Sequence, residues 1–181
     1  MTGQTPQGGA PTASAAQRQC GPCTLCCKVY DVPAVESALG TWCKHCTPGK
    51  GCGIWATRPD FCRSFFCNWI KLDWLDEEWR PDIAKFVFTI DPSSGYLMFQ
   101  VDPGSPEAWR REPYYSQIKR WSAEGLTRAR GTLVFINKAA TLILPDEDKQ
   151  IGELGPQDRI LIGPADEGGI RVQVKRGPKA N

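Results

Sequence analysis

No cysteine occurs after Cys67, so the last 114 of the 181 residues are free of it. The chain has a single histidine, His45. One histidine excludes an HExxH zinc-hydrolase motif, and no Ser/His/Asp set pairs with it, so any chemistry here has to be metal- or thiol-based. No run approaches the ~18 consecutive apolar residues of a membrane span. Neither sign of charge is in excess: the formal net charge is +2, with 8 basic and 7 acidic side chains in residues 1–80 and 14 and 13 in residues 81–181. Bulk charge therefore makes no case for nucleic acid or an anionic membrane. Residues 1–19 have no basic n-region and no apolar h-region, so they do not read as a secretory signal, and a cytoplasmic location is expected. Their Gly, Gln, Thr, Ala and Pro content predicts a disordered tail.

The cysteines that are present are crowded. All nine lie in the 48 residues from Cys20 to Cys67. They run Cys20-x2-Cys23-x2-Cys26-Cys27, then Cys43-x2-Cys46-x5-Cys52, then Cys62-x4-Cys67. Two residues between cysteines let a tight turn aim both sulfurs at one ion, and remote cysteines then close the shell. In a reducing compartment such density points to metal ligands before disulfides, and the odd count argues against a disulfide scaffold. The candidate ligands are thus Cys20, Cys23, Cys26, Cys27, Cys43, Cys46, Cys52, Cys62 and Cys67. Nine thiols and His45 could fill two closed zinc sites. Cys20, Cys23 and Cys26 equally match the first three ligands of a ferredoxin-type run, with the fourth drawn from Cys52, Cys62 or Cys67. Zinc and an iron–sulfur cluster therefore both stand as the expected cofactor.

Cys26 and Cys27 are backbone neighbours whose side chains should diverge, so they are expected to serve two adjacent centres or to leave one spare thiol with redox potential. Trp42, Trp55, Phe61, Phe65, Phe66 and Trp69 read either as an apolar shell around the site or as a small core. Arg58 and Arg63 flank Cys62, where each could support thiolates or pair with a surface carboxylate. His45 between Cys43 and Cys46 is expected to face solvent.

After the cysteines the pattern changes. Residues 20–72 predict a module of loops and short helices, and residues 73–181 an α+β region packed with it. Strands are expected over 85–90, 96–101, 133–136, 140–144, 159–162 and 170–174, the first two joined by the turn Asp91–Gly95. Ser105-Pro106-Glu107 carries helix-start chemistry, with Pro113 restarting or kinking the helix. Tyr114, Ile118 and Trp121 then share one helix face, and Gly125 closes it. The fold class is α+β, with a mostly antiparallel sheet and one or two helices. Between Arg110 and Arg130, six basic residues interleave with Trp109, Tyr114, Tyr115 and Trp121. Such a mix can hold nucleic acid, but the same residues make an amphipathic helix with aromatics inward, which is the preferred reading.

The cysteine segment resembles the YkgJ-like family, described as a zinc- or iron-chelating domain. The CxxCxxCC run stands as Cys20-Gly-Pro-Cys23-Thr-Leu-Cys26-Cys27. The second hallmark stands as Cys43 through Gly51, Cys52-Gly53-Ile54-Trp55, Arg58-Pro59 and Cys62-Arg63-Ser64-Phe65-Phe66-Cys67. The match covers about 50 residues, and Cys46 stands where many members carry an apolar residue. The resemblance implies metal chelation through these thiols and no settled reaction. Flagellin lysine methylases share a similar cysteine module but are larger, and residues 81–181 show no glycine-rich S-adenosylmethionine loop. The leading expectation is an accessory or structural metal protein. The alternatives are an iron–sulfur, thiol-redox or methylation-related enzyme and a nucleic-acid accessory protein. The metal ion is the expected partner, a protein partner is left open, and neither nucleic acid nor membrane is expected.

Overall fold

The computed structural model describes residues 18–155, 157–165 and 169–178. Most of the expected 1–19 tail therefore lies outside the described residues. The fold is α+β. Its cysteine-rich part contains only short elements: helix α1 (Cys26–Val29), the two-residue strands β1 (Cys46–Thr47) and β2 (Gly51–Cys52), and helices α2 (Asp60–Ser64) and α3 (Asn68–Lys71). Helix α4 (Pro81–Ala84) leads into the sheet, with Pro81 at its first position, where a missing N–H costs nothing.

The main sheet comprises β3 (Phe86–Ile90), β4 (Leu97–Val101), β5 (Thr132–Ile136), β6 (Ala139–Ile143) and β7 (Asp148–Glu153), in that spatial order. Three of its pairings are antiparallel, and β4–β5 is parallel. The parallel pair arises because helix α5 (Tyr114–Leu126) carries the chain back across the sheet between those strands. Strands β8 (Arg159–Pro164) and β9 (Ile170–Lys175) form a separate antiparallel ribbon.

Alternation along the strands assigns the two faces. Phe86, Phe88, Phe99, Val101 and Val134 share one face with Tyr114 and Ile118 of α5 in a single core. There Phe86 meets Tyr114 at 5.1 Å and Phe88 stacks on Trp121 at 5.3 Å between ring centroids. On the opposite face, Leu133, Phe135 and Leu142 pack with Ile160 of the ribbon. Val87, also on that face, lines the cysteine cavity. Leu25, Val29, Cys67 and Trp69 join the first core, so the cysteine segment and the sheet share buried apolar surface. An ion pair between Lys28 of α1 and Asp102 at the end of β4, at 2.6 Å, adds a polar tie.

Three expectations need correction. The segment after Ser105 forms only a 3-10 turn at Ala108–Arg110, and the helix begins at Tyr114 with Pro113 as its cap. Gly125 lies one residue inside the helix, its carbonyl accepting the N–H groups of Arg128 and Arg130 at 2.9 and 3.0 Å. Strand β7 was not expected at all: its sequence Asp-Lys-Gln-Ile-Gly-Glu is polar, and pairing with β6 rather than an apolar face defines it.

Candidate metal centre

The cysteines converge because three short backbone devices face one another. Cys23 donates its N–H to the Cys20 carbonyl at 2.9 Å, closing a turn that ends just before α1. Cys43 donates to the Cys27 carbonyl at 2.9 Å, and Cys46 donates to Cys43 at 2.9 Å. The β1–β2 ladder then sets Cys46 opposite Cys52. Cys62 sits within α2, and Cys67 directly precedes α3.

All nine cysteines line one cavity, together with His45, Tyr30, Arg58 and Val87. None is in a disulfide. Cys67 is buried and the other eight are half-buried. Among the described residues, no three His, Cys, Asp or Glu side chains already stand as a ready metal shell. The sulfurs thus share a cavity without closing on a point, as neutral thiols would.

The surroundings favour neutral thiols in the absence of a cation. Cys23 is pushed up to about 12 by burial, opposed by the Leu25 N–H directed at its sulfur; the Asp82 carboxylate pushes it up further, while the Asp82 N–H opposes. Burial also raises Cys67, opposed by the N–H groups of Ile70 and Trp69. Backbone donors aimed at sulfur favour the ionised form. Cys46 is pushed up to about 12 by burial and by the neighbouring Cys27, with the Thr24 hydroxyl opposing. Cys27 is raised first by contact with Cys26, then by burial. Burial raises Cys62, as do Cys27, Cys43 and Cys52, and burial with Cys67 raises Cys20. Sulfurs close enough to oppose one another's ionisation are a donor set that a cation would relieve.

The expected divergence of Cys26 and Cys27 is overturned. Their thiols lie against one another, because α1 is a single turn whose first two side chains both lean into the cavity. The arginines part company. Arg63 pairs with Asp60 at 2.5 Å on the surface. Arg58 is half-buried, lies 3.3 Å over the Trp55 ring, and donates Nε to the Trp55 carbonyl at 3.0 Å. Its charge acts on Cys20, Cys27 and Cys62. His45 is half-buried on the cavity rather than facing solvent. Trp55, Phe61, Phe65 and Trp69 line the cavity, whereas Trp42 and Phe66 do not.

Three participants carried no sequence signal. Tyr30 packs against Phe65 in a tilted pair with ring centroids 4.9 Å apart, buried Thr24 touches Cys46, and Asp82 touches Cys23. Asp82 lies beyond the cysteine segment, brought back by α4. In the basic stretch, Tyr114 and Ile118 are buried. Arg110 and Lys119 both pair with Asp148, at 2.6 and 2.8 Å. No described helix is long and apolar enough to cross a membrane. No family model, curated protein or solved structure matches the chain.

Proposed function

We propose that this is a metal-binding protein of the CxxCxxCC type, resembling the YkgJ-like family, whose thiolates hold zinc or an iron–sulfur cluster in the cytoplasm. The observation that carries the reading is the convergence of all nine cysteines, from segments as far apart as Cys20 and Cys67, on one cavity. Free thiols of this number, with backbone N–H groups directed at Cys23 and Cys67, are the donors that zinc and iron–sulfur centres take. A bound cation offsets the charge that the crowded sulfurs would otherwise carry together. The role is accessory or structural: the sheet and α5 form a packed support with the cavity at one side. X-ray absorption at the zinc or iron edge of protein isolated without oxygen tests this. A first shell of sulfur at about 2.3 Å is expected; a shell of nitrogen and oxygen alone would sink the reading.

A further inference from the structure

The hairpin of β1 and β2 sets two of the cysteines directly opposite each other: Cys46 pairs with Cys52 across the ladder. Opposite residues of an antiparallel pair project their side chains from the same face, and both cysteines line the cavity. Such a ladder alternates pairs that exchange N–H bonds with pairs that do not, and the second kind brings the Cα atoms to about 4.5 Å. Cys46 and Cys52 are of the second kind. Cys46 donates its N–H to the Cys43 carbonyl at 2.9 Å, and the bond flanking the pair runs from the Gly53 N–H to the His45 carbonyl at 2.8 Å.

A disulfide spans Cα atoms about 4.4–6.8 Å apart, so the backbone already holds this pair at bonding separation. The adjacent Cys26 and Cys27 fall below that range, because neighbouring Cα atoms lie about 3.8 Å apart across a trans peptide. The hairpin is also anchored. Gly49 at its tip donates its N–H to the hydroxyl of buried Thr24 at 3.2 Å, and Lys50 donates to the Thr47 carbonyl at 2.9 Å. Both cysteines are free and half-buried, and the turn between them, residues 47–50, is exposed. A small solute can therefore approach the pair from the solvent side.

We propose that Cys46 and Cys52 are a redox-active dithiol that closes to a cross-strand disulfide with a low-molecular-weight disulfide as the oxidant. One cysteine sulfur, its proton passing to water, attacks the small disulfide, breaks its S–S bond and expels one thiolate, which takes up a proton. The second cysteine sulfur, likewise deprotonated, attacks the mixed disulfide, forms the Cys46–Cys52 bond and expels the second thiol. The protein gives up two electrons and two protons, and the small disulfide is reduced to two thiols. The step needs only reduced cysteines, so it stands apart from the thiolate reading. Once closed, the bond takes two of the nine sulfurs out of the set that lines the cavity.

The test uses the full chain, reduced, stripped of metal and kept without oxygen. It is treated with an equimolar amount of oxidised glutathione, blocked with iodoacetamide and mapped by mass spectrometry after trypsin. Lys44 and Lys50 place Cys43, Cys46 and Cys52 on three different peptides, and fragmentation reads Cys52 apart from Cys62. The first bond should join Cys46 to Cys52, with free thiols falling from nine to seven. In Cys52→Ser, Cys46 has lost its opposite partner and should accumulate as a stable mixed disulfide with glutathione, a species that the wild type resolves. A first bond between another pair, such as Cys43–Cys46 or Cys20–Cys23, overturns the proposal. So does a wild type that keeps glutathione on Cys46 or Cys52 without joining them. Should Cys52→Ser not fold, the wild-type map alone decides. Neither result bears on whether the reduced protein binds zinc or iron, which is read by the X-ray absorption experiment.

Discussion

At the scale of single residues, Cys23 and Cys46 are protonated in the metal-free protein near neutral pH. Cys23 and Cys46 both sit near 12, held there mainly by burial. A metal must therefore displace protons, and apparent affinity should rise with pH. Adding zinc to metal-free protein in weak buffer should release protons, seen as a fall in pH; no release would mean the sulfurs are not the ligands. Asp91 offers a separate residue-scale case. Its carboxylate accepts the N–H groups of Ser93 and Ser94 at 3.1 and 2.7 Å, and both serine hydroxyls as well. These bonds hold it at about 2. Because the folded value is lowered, its contribution is complete above about pH 4, the unfolded value, and fades as pH falls toward 2. Asp91→Ala should cost about 1 kcal/mol by urea denaturation at pH 7, and the gap between the two proteins should close below pH 3. Gly95, at φ +71°, completes that turn in a conformation other residues resist.

At the scale of elements, helix α5 is the clearest case of sequence legibility. Spacing places Tyr114, Ile118 and Trp121 on one face, and the structure buries Tyr114 and Ile118 against the sheet with Trp121 packed beside them. Ile118→Ala should therefore cost about 3 kcal/mol by denaturant titration, with metal content unchanged, since α5 contributes no residue to the cavity lining. The strands with apolar alternation were also legible. Strand β7 was not, because its residues satisfy hydrogen bonds along β6 without burying an apolar face. It is held to α5 by charge instead. Burial pushes Asp148 up, but the bonds from Lys119, Arg110 and Tyr115 outweigh it and leave it lowered. The sign is that of Asp91: this support is present at neutral pH and is lost as pH falls below about 4. Asp148→Asn should cost about 2 kcal/mol at pH 7 and much less at pH 3, measured by thermal melts at both. The helix expected after Ser105 failed for a different reason: a cap and a proline start a turn, but the next apolar side chains, Ala108 and Trp109, are buried within three residues and Pro113 follows.

At the scale of the whole molecule, the cysteine segment has few regular elements and little apolar interior of its own. Leu25, Val29, Cys67 and Trp69 are buried only by joining the core beneath the sheet. Arg18 reinforces the join by donating to the carbonyls of Trp69, Leu72, Asp73 and Leu75. The spacing of the cysteines pointed to the site. What it could not show was that α4 returns Asp82 to Cys23, or that Tyr30 and Thr24 enter the cavity, because those contacts depend on how the sheet positions the segment. Thiolate binding of a metal in this cavity is tested most directly by elemental analysis and a visible spectrum of the full chain purified without oxygen or chelator. Zinc with a colourless solution, or iron with sulfide and a brown one, is the predicted result, with the nine thiols reduced. Protein free of both metals, its cysteines cross-linked as disulfides, would contradict it.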